Sequence, residues 1–345
     1  MAEKQNGLFD AEFRLRKIDR MGDPLQKLDA AIDWEYFRLT LNKGFAKDEP
    51  AKGPGGRPPY DFVLRFKVLI LQSLYNLSDD AMEYQLNDRR TFQRFVGLDD
   101  KDAIPDAKTI WTWREALIRS KKLQKLFDRF WNYLDKADIK ANSGSIIDAS
   151  FVDKPRQRNT KGENDAIKKG EVPEDWQRPE NEAMLRQKDT DARWAKKNNE
   201  THYGYKNHVK VDRKTKLIKK SVVTDASVHD SQALASLVDK TDTGKPVYAD
   251  SAYSGSGQIK TIHKKKALPR INEKGVRNRP LTKNQMNRNR RLSKTRARVE
   301  HVFGFMTMSM GGMAIRCVGF ARAEAAIILK NLAYNMRRYC VLLGA

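Results

Sequence analysis

An aspartate lies in the middle of an apolar, β-branched run of the sequence, at residues 145–152. The length of this run and its content of isoleucine and valine predict a buried strand. A carboxylate inside such a strand costs free energy unless a cation or a hydrogen-bond network compensates its charge. Asp148 therefore needs a partner, and acids later in the chain are candidates for sharing its function.

Two further acids lie where a solvated surface position explains them poorly. Asp250 ends a short apolar strand predicted for residues 246–250. Glu300 lies among apolar residues on a predicted helix, with Arg296 one turn earlier. If the sheet closes as the order of elements indicates, Asp148 and Asp250 stand on neighbouring strands and Glu300 lies on a helix above them.

Three carboxylates around one point suit Mg²⁺ or Mn²⁺, which prefer hard oxygen ligands. Two such ions about 4 Å apart can activate a nucleophilic oxygen and stabilise a leaving oxygen at a phosphodiester. This chemistry needs no catalytic histidine, and the five histidines show neither metal-ligand spacing nor a catalytic triad. We therefore predict a two-metal site at Asp148, Asp250 and Glu300.

Asp153 and Asp225 compete with these acids for the same roles. Asp153 lies five residues after Asp148, so the two side chains point to opposite faces of a strand. Asp225 follows a predicted strand, where an aspartate also serves as a turn or capping residue.

Strands and helices alternate after residue 144. Residues 205–212 and 217–224 predict a β-hairpin, and residues 246–250 and 267–271 predict two short strands separated by a helix. This order predicts a mixed α/β sheet covered by helices. The alternation of Lys206, His208 and Lys210 further predicts that the hairpin lies at a sheet edge. Residues 154–200 show no strand period, and we predict a polar insertion or mobile segment over a substrate groove.

Residues 24–140 have the spacing of short helices joined by tight turns. Ser78, followed by two acids, is a plausible helix start. The pattern is typical of helix–turn–helix modules, in which one helix enters a major groove, and equally of an ordinary helical bundle. Residues 1–23 predict a flexible arm, and residues 321–345 predict a C-terminal helix.

The charge of the chain indicates a polyanionic partner. The sequence has 67 Lys and Arg against 44 Asp and Glu, a formal net charge of +23. Nucleic acid is the expected partner, although a basic ribosome-associated or merely soluble protein has the same composition. Residues 260–298 are the densest basic block, with 15 Lys and Arg against one acid. The residues predicted to contact DNA are Arg57, Arg89, Arg90, Arg94, Lys108, Arg114, Lys206, Arg290, Arg291, Lys294, Arg296 and Arg298.

The two cysteines, Cys317 and Cys340, match no zinc spacing and no disulfide framework. The N-terminus lacks the apolar core of a secretory signal, and the longest apolar runs are shorter than a membrane span. These features predict a soluble, cytoplasmic protein without a membrane partner.

Three segments resemble the acidic motifs of bacterial insertion-sequence DDE transposases of the IS5 group. They are residues 147–150, 248–255 and 296–303, which contain Asp148, Asp250 and Glu300. Residues 56–97 and 104–106 resemble the helical domain of those proteins. The resemblance extends over residues 24–340. The third motif of the family also has a tyrosine and a lysine, and these positions are Ser293 and Thr307 here.

This resemblance implies an RNase H-like catalytic domain at residues 141–320, carrying the insertion, after a DNA-binding helical domain at residues 24–140. The C-terminal helix would pack on the catalytic domain. It implies double-stranded DNA as the partner, with Mg²⁺- or Mn²⁺-dependent cleavage and strand transfer at terminal inverted repeats. The pairing of two DNA ends implies a homodimer or a larger assembly, associated with the bacterial nucleoid.

Two other functions fit the same composition. One is a non-catalytic DNA-binding regulator. The other is a metal-dependent nuclease that hydrolyses DNA without joining it. A cleavage assay on DNA with the ends of the element separates these alternatives.

Overall fold

The computed structural model describes residues 10–46, 59–99 and 101–344. Within it the chain forms an N-terminal unit, Met1–Tyr133 with Leu332–Ala345, and a central unit, Leu134–Asn331. The domain boundaries at residues 140 and 320 stay a prediction. The predicted C-terminal helix forms as α15, Phe320–Leu342, and its residues from Leu332 onward belong to the N-terminal unit.

Short helices build the N-terminal unit, as the apolar spacing predicts. Ser78 caps one of them through its hydroxyl, which accepts a hydrogen bond from the Ala81 N–H at 3.1 Å. Phe37 and Phe66 are fully buried, with ring centroids 5.4 Å apart. The helices are α1 Asp10–Met21, α2 Pro24–Ala31, α3 Arg38–Phe45, α4 Phe62–Tyr75, α5 Asp79–Asp88, α6 Arg90–Val96, α7 Ala107–Arg119 and α8 Leu123–Lys136.

The arm predicted for residues 1–23 is helical where it is described, because α1 covers Asp10–Met21. Asp19 anchors the end of α1 through an ion pair of 2.6 Å with Arg94. Arg94 also pairs with the buried Asp23 at 2.9 Å. These ion pairs, which sequence periodicity does not reveal, give the segment a fixed position. Residues 56–58, at the start of the segment that resembles the family's helical domain, lie outside the described residues.

A mixed sheet of six strands forms the central unit, which confirms the predicted α/β class. Its order is β2-β3-β1-β5-β6, and β4 also pairs with β3. β1 is antiparallel to β3 and parallel to β5, and β6 is parallel to β5. The strands are β1 Ser145–Asp153, β2 Arg193–Lys197, β3 Glu200–Asp212, β4 Ile218–Asp225, β5 Pro246–Ala249 and β6 Leu268–Ile271.

Helices cover both faces of this sheet. Ile147 packs on one face with Leu234 and Ile262, which lie on α11 Leu234–Leu237 and α12 Ser256–Lys264. Val152, five residues later and so on the other face, packs with Ile327 of α15. The remaining long helices are α13 Lys283–Arg296 and α14 Glu300–Met308. No helix in the described parts of the chain is long and apolar enough to cross a membrane.

The segment 154–200 contains more regular structure than the sequence predicted. It forms α9 Lys161–Lys169, α10 Glu182–Leu185 and then β2, which joins the sheet. Asn198 and Asn199 connect β2 to β3 with φ values of 49° and 65°. Consecutive left-handed residues form the tight hairpin turn for which asparagine is favoured. The segment therefore contains a strand of the sheet, although its sequence shows no strand period.

The hairpin of β3 and β4 does form, but β3 is a central strand and not a sheet edge. Lys206, His208 and Lys210 have exposed fractions of 8%, 0% and 1%. Lys210 is buried because its ammonium pairs with Asp239 at 2.8 Å and with Asp242 at 3.0 Å. The alternation of these residues predicted solvent exposure. Instead, acids elsewhere in the unit neutralise the two lysines, which lets their side chains be buried.

Gly204 lies on β3 beside β1 and β2, and no other residue fits there. Its φ is +145°, and a Cβ atom would lie 2.4 Å from the Val152 carbonyl oxygen. Glycine alone tolerates both this backbone conformation and this approach.

Candidate active site

Asp148 lies in the middle of β1, and its side chain is 16% exposed. Its Oδ2 accepts a hydrogen bond from Arg296 Nη1 at 3.0 Å, and its Oδ1 accepts one from the Ala149 N–H at 2.9 Å. Asp148, whose buried charge we predicted to need compensation, therefore has a cationic partner. That partner is the guanidinium of Arg296, the last residue of α13.

Asp250 follows β5, the parallel neighbour of β1. The last paired residues are Ile146 and Tyr248, so two residues further along each strand are Asp148 and Asp250. The Asp250 carboxylate is half-buried and accepts a hydrogen bond from the Ala252 N–H at 2.9 Å. The structure thus places these two acids on neighbouring strands, as predicted.

The electrostatics of Asp148 reflect this position. Burial raises the pKa of its carboxyl above the ordinary value, and the negative charge of Asp250 raises that pKa further. The Ala149 N–H, Arg296 and Lys197 act in the opposite direction without cancelling the effect of burial. A buried carboxylate with a second negative charge beside it favours the binding of an additional cation.

Glu300 is the most exposed of the three predicted acids. It is the first residue of α14, and its side chain is 66% exposed. Its nearest cationic contact is Arg296 Nη2, 3.9 Å from Oε1. Arg296 therefore lies between Asp148 and Glu300, and the structure does not bring all three acids around one point.

Asp148 and Asp250 fit a divalent cation by their donor chemistry, because both offer carboxylate oxygens and the charge of Asp250 raises the pKa of Asp148. Glu300 does not complete the set as it stands. Among the described residues, no group of three His, Cys, Asp or Glu side chains is arranged to hold a metal ion. The chemistry of these side chains therefore supports two of the three predicted ligands of a divalent cation.

The rival acids lie elsewhere. Asp153 is at the end of β1, where its Oδ1 lies 3.1 Å from His202 Nδ1. Asp225 Oδ1 accepts a hydrogen bond from the Ser227 N–H at 2.8 Å, which confirms the predicted role in a turn.

Ser293 and Thr307 occupy the positions at which the third motif of the resembling family has tyrosine and lysine. Ser293 Oγ accepts a hydrogen bond from Asn272 Nδ2 at 2.9 Å. Thr307 Oγ1 donates to the Phe303 carbonyl at 2.9 Å, within its own helix. Both hydroxyls thus have local partners.

The residues predicted to contact DNA differ in exposure and in the ion pairs that they form. Arg94 has two ion pairs in the N-terminal unit, Arg114 binds Asp79 with two contacts of 2.7 Å, and Lys206 is buried beside Asp230 at 2.9 Å. These three support the fold, so their positions do not favour DNA contact. Arg57 lies outside the described residues. The exposed residues are Arg89, Arg90, Lys108, Arg290, Arg291, Lys294 and Arg298.

Two residues that act on the charges at this site, Lys197 and Tyr253, were not predicted. Lys197 on β2 acts on the charge of Asp148, and the Asn-Asn pair that follows it was the turn signal that could have revealed its strand. Tyr253 is 1% exposed, and its buried hydroxyl has no hydrogen-bond partner in the described structure. Burial raises the pKa of Tyr253, as do the charges of Asp230, Asp148 and Asp250. No sequence pattern marks this residue.

Two family models match the chain. The model described as "Transposase DDE domain" matches residues 140–336, more than half of the 345 residues. The model described as "Transposase domain (DUF772)" matches residues 13–116. No solved structure matches the chain. These matches confirm the prediction of a transposase, with a function in transposition, and the chain belongs to the transposase DDE domain family.

Proposed function

We propose that this transposase binds the terminal inverted repeats of an insertion sequence, cleaves the DNA there and joins the freed end to target DNA. Asp148, Asp250 and Glu300 are the proposed catalytic acids. The observation that carries the proposal is the placement of Asp148 and Asp250 on adjacent parallel strands, with Arg296 against Asp148.

The proposed fold of the central unit is RNase H-like. The strand order supports this assignment, because β1 has an antiparallel hairpin on one side and two parallel strands on the other. Assignment to the IS5 group is also a proposal. Arg296 and Glu300 support it, since they keep the spacing of the third motif in that group.

Asp148 and Asp250 are the proposed ligands of Mg²⁺ or Mn²⁺, and Glu300 is the third ligand that the family motif implies. Bound divalent ions would supply charge neutralisation at the reacting phosphate and activation of the attacking oxygen. Attack of water on the phosphodiester breaks the bond between phosphorus and the 3′ oxygen, which leaves a 3′ hydroxyl. That hydroxyl then attacks a target phosphorus and displaces the 3′ oxygen of the target strand.

Arg296 has a distinct role in this proposal. Its guanidinium now donates to Asp148 and lies near Glu300, so it has further N–H groups for a DNA phosphate. An arginine in this position can hold two phosphate oxygens at once. We therefore assign Arg296 to orientation of the phosphodiester at the acids.

The exposed basic residues support double-stranded DNA as the partner. Arg290, Arg291 and Lys294 lie on α13, the helix that ends at Arg296. Arg89 and Arg90 lie at the start of α6 in the N-terminal unit. Cleavage at two ends of an element further favours assembly of at least two copies of the chain.

The decisive experiment combines binding and cleavage on DNA with the ends of the element. We expect D148A, D250A and E300A each to abolish Mg²⁺-dependent cleavage and joining, and to leave end binding within about threefold. D153A is the matched control, since Asp153 is an exposed acid on the same strand, and we expect it to retain activity.

The products separate the alternatives. Cleavage followed by joined products supports a transposase that carries out strand transfer, and hydrolysed products alone indicate a nuclease. Binding without cleavage by the wild-type chain indicates a regulator. Normal cleavage by all three alanine variants would overturn the assignment of the acids.

A further inference from the structure

The phenol of Tyr253 is buried beside the candidate acids with its hydroxyl unsatisfied. The side chain is 1% exposed, and among the described residues the hydroxyl has no hydrogen-bond partner. A buried hydroxyl without a partner costs free energy, because folding removes it from water and does not replace the lost hydrogen bond. Such groups are uncommon in folded proteins, and each calls for an explanation, such as a role in binding or catalysis.

The packing of the ring holds Tyr253 in place. The ring belongs to a core cluster that contains Ile147 of β1 and Ala249 at the end of β5. Asp148 and Asp250 are the next residues along the chain after these two. The Tyr253 N–H also donates to the Asp250 carbonyl at 3.2 Å, across a single 3₁₀ turn. The ring therefore cannot turn its hydroxyl to solvent without leaving the core, and the hydroxyl stays beside the acids.

Three carboxylates lie near the Tyr253 hydroxyl. Burial is the main cause of its raised pKa, and the negative charges of Asp230, Asp148 and Asp250 raise that pKa further. The raised pKa keeps the proton on the phenol, so the hydroxyl remains a hydrogen-bond donor. Asp230 already pairs with Lys206 at 2.9 Å, and both oxygens of Asp148 already accept hydrogen bonds.

Asp250 is the carboxylate with an oxygen left for this donor. Within the described part of the chain it accepts a side-chain hydrogen bond only at Oδ1, from the Ala252 N–H at 2.9 Å. The side chain is half-buried and held at one oxygen, so it can turn toward water. A metal-binding carboxylate, by contrast, is usually oriented by hydrogen bonds to its outer oxygen.

We propose that Tyr253 is a positioning residue of the divalent-cation site, and that its hydroxyl donates to the Asp250 carboxylate in the metal-bound protein. The bond fixes the orientation in which Asp250 serves as a ligand. The metal-free protein bears the cost of the unpartnered hydroxyl, and that cost is relieved in the metal-bound protein. The inference rests on the proposed function, because it takes Asp148 and Asp250 as metal ligands.

One substitution should therefore have two effects of opposite sign. Y253F removes the hydroxyl and keeps the ring. Without metal, it should raise the equilibrium constant for folding about tenfold, because the unpartnered group is gone. It should also weaken Mn²⁺ binding about tenfold, within the roughly 10–100-fold loss typical when a hydrogen-bond partner of a metal ligand is removed. A tyrosine that only packs in the core would leave the Mn²⁺ affinity unchanged.

The experiment measures both quantities on the full chain. Urea unfolding in EDTA gives the equilibrium constant for folding, and titration with Mn²⁺, followed by electron paramagnetic resonance of the free ion, gives the affinity. Y205F is the matched control. Tyr205 is also fully buried, but its hydroxyl donates to Asp189 at 2.9 Å. We expect Y205F to lower the equilibrium constant for folding about tenfold and to bind Mn²⁺ as the wild type does.

Two results would overturn the inference. If Y253F is less stable than the wild type in EDTA, the hydroxyl has a partner in the metal-free protein. If Y253F is more stable but binds Mn²⁺ with unchanged affinity, Tyr253 serves packing alone. D148N and D250N identify the Mn²⁺ that binds at the acids. Wild-type binding that neither variant weakens would refute the proposed metal site and this inference together, whereas binding that both variants weaken and Y253F does not would refute this inference alone.

Discussion

The charge of Asp148 is only partly compensated by groups from different parts of the central unit. Arg296 of α13 donates to its carboxylate, and Lys197 of β2 contributes a second positive charge. Burial and Asp250 nevertheless leave its pKa raised. The site is therefore short of positive charge, and each of the two predictions that follow depends on that shortage.

Divalent metal should stabilise the folded protein through Asp148 and Asp250. A ligand at 100 times its Kd adds about 2.7 kcal/mol, which raises the melting temperature of a unit of this size by roughly 5–10 °C. We expect Mg²⁺ or Mn²⁺ to produce such a shift in the wild type and in D153N, but not in D148N or D250N. Differential scanning fluorimetry with and without EDTA measures it. An equal shift in D148N would show that the metal binds elsewhere.

Stability without metal should depend on pH through the same carboxyl. Because the folded-state pKa of Asp148 is raised, the unfolded chain loses this proton first as the pH rises. Stability is therefore lost as the pH rises from about 3.8 through the folded-state pKa. D148N removes this loss, so its free energy of unfolding relative to the wild type should increase between about pH 4 and pH 7. Urea unfolding in EDTA measures the difference, with D153N as control. A difference that falls or stays constant would contradict the argument.

At the scale of elements, a buried ion pair anchors β2 and the residues before it. Asp189 is fully buried, and it contacts Lys154 Nζ. It also accepts hydrogen bonds from the Tyr205 hydroxyl at 2.9 Å, from the Ala192 N–H at 3.0 Å and from the Gly319 N–H at 3.1 Å. These contacts tie the segment before β2 to β3 and to the chain that enters α15.

Removal of the Asp189 carboxylate should be costly, because Lys154 would remain buried without its counter-charge. We expect D189A to lower the free energy of unfolding by about 3–5 kcal/mol, and K154M/D189L to recover part of that loss. D165A is the control, since Asp165 and Lys168 form an exposed pair that contributes about 0–1 kcal/mol. Urea unfolding measures all four proteins. A loss in D189A no larger than that in D165A would show that the buried pair does not anchor the segment.

The elements also show where sequence reasoning works. Long periodic segments such as α4 and α15, and the apolar runs of β1 and β5, were predicted because one local pattern specifies each of them. β2 was missed, because three of its five side chains are charged and the segment becomes a strand only by pairing with β3. The predicted position of β3 at a sheet edge was wrong. Its lysines are neutralised by acids that are distant in the sequence, so their charge does not require solvent exposure.

At the scale of the whole molecule, the net charge of +23 favours a polyanionic partner, and the proposed partner is DNA. Each phosphate contact contributes about 0.9 to the slope of log affinity against log salt concentration. We expect R290A/R291A on α13 to reduce this slope by about one to two units on any DNA sequence. Fluorescence anisotropy at several salt concentrations measures it.

R178A/R186A is the matched control for this prediction. It removes the same charge from two exposed arginines that already form ion pairs within their own segment. We expect its salt slope to match that of the wild type. Equal slopes in both double variants would place the DNA away from α13.

The sequence by itself determined the class of the protein. The basic composition, the strand around Asp148 and the order of the acidic motifs are local or additive properties, so they needed no coordinates. The tertiary structure alone decided which side chains meet. It joined Arg296 to Asp148, left Glu300 largely exposed, and engaged Lys206 and Arg114 in ion pairs. Such contacts depend on chain folding over long separations, which composition and periodicity do not encode.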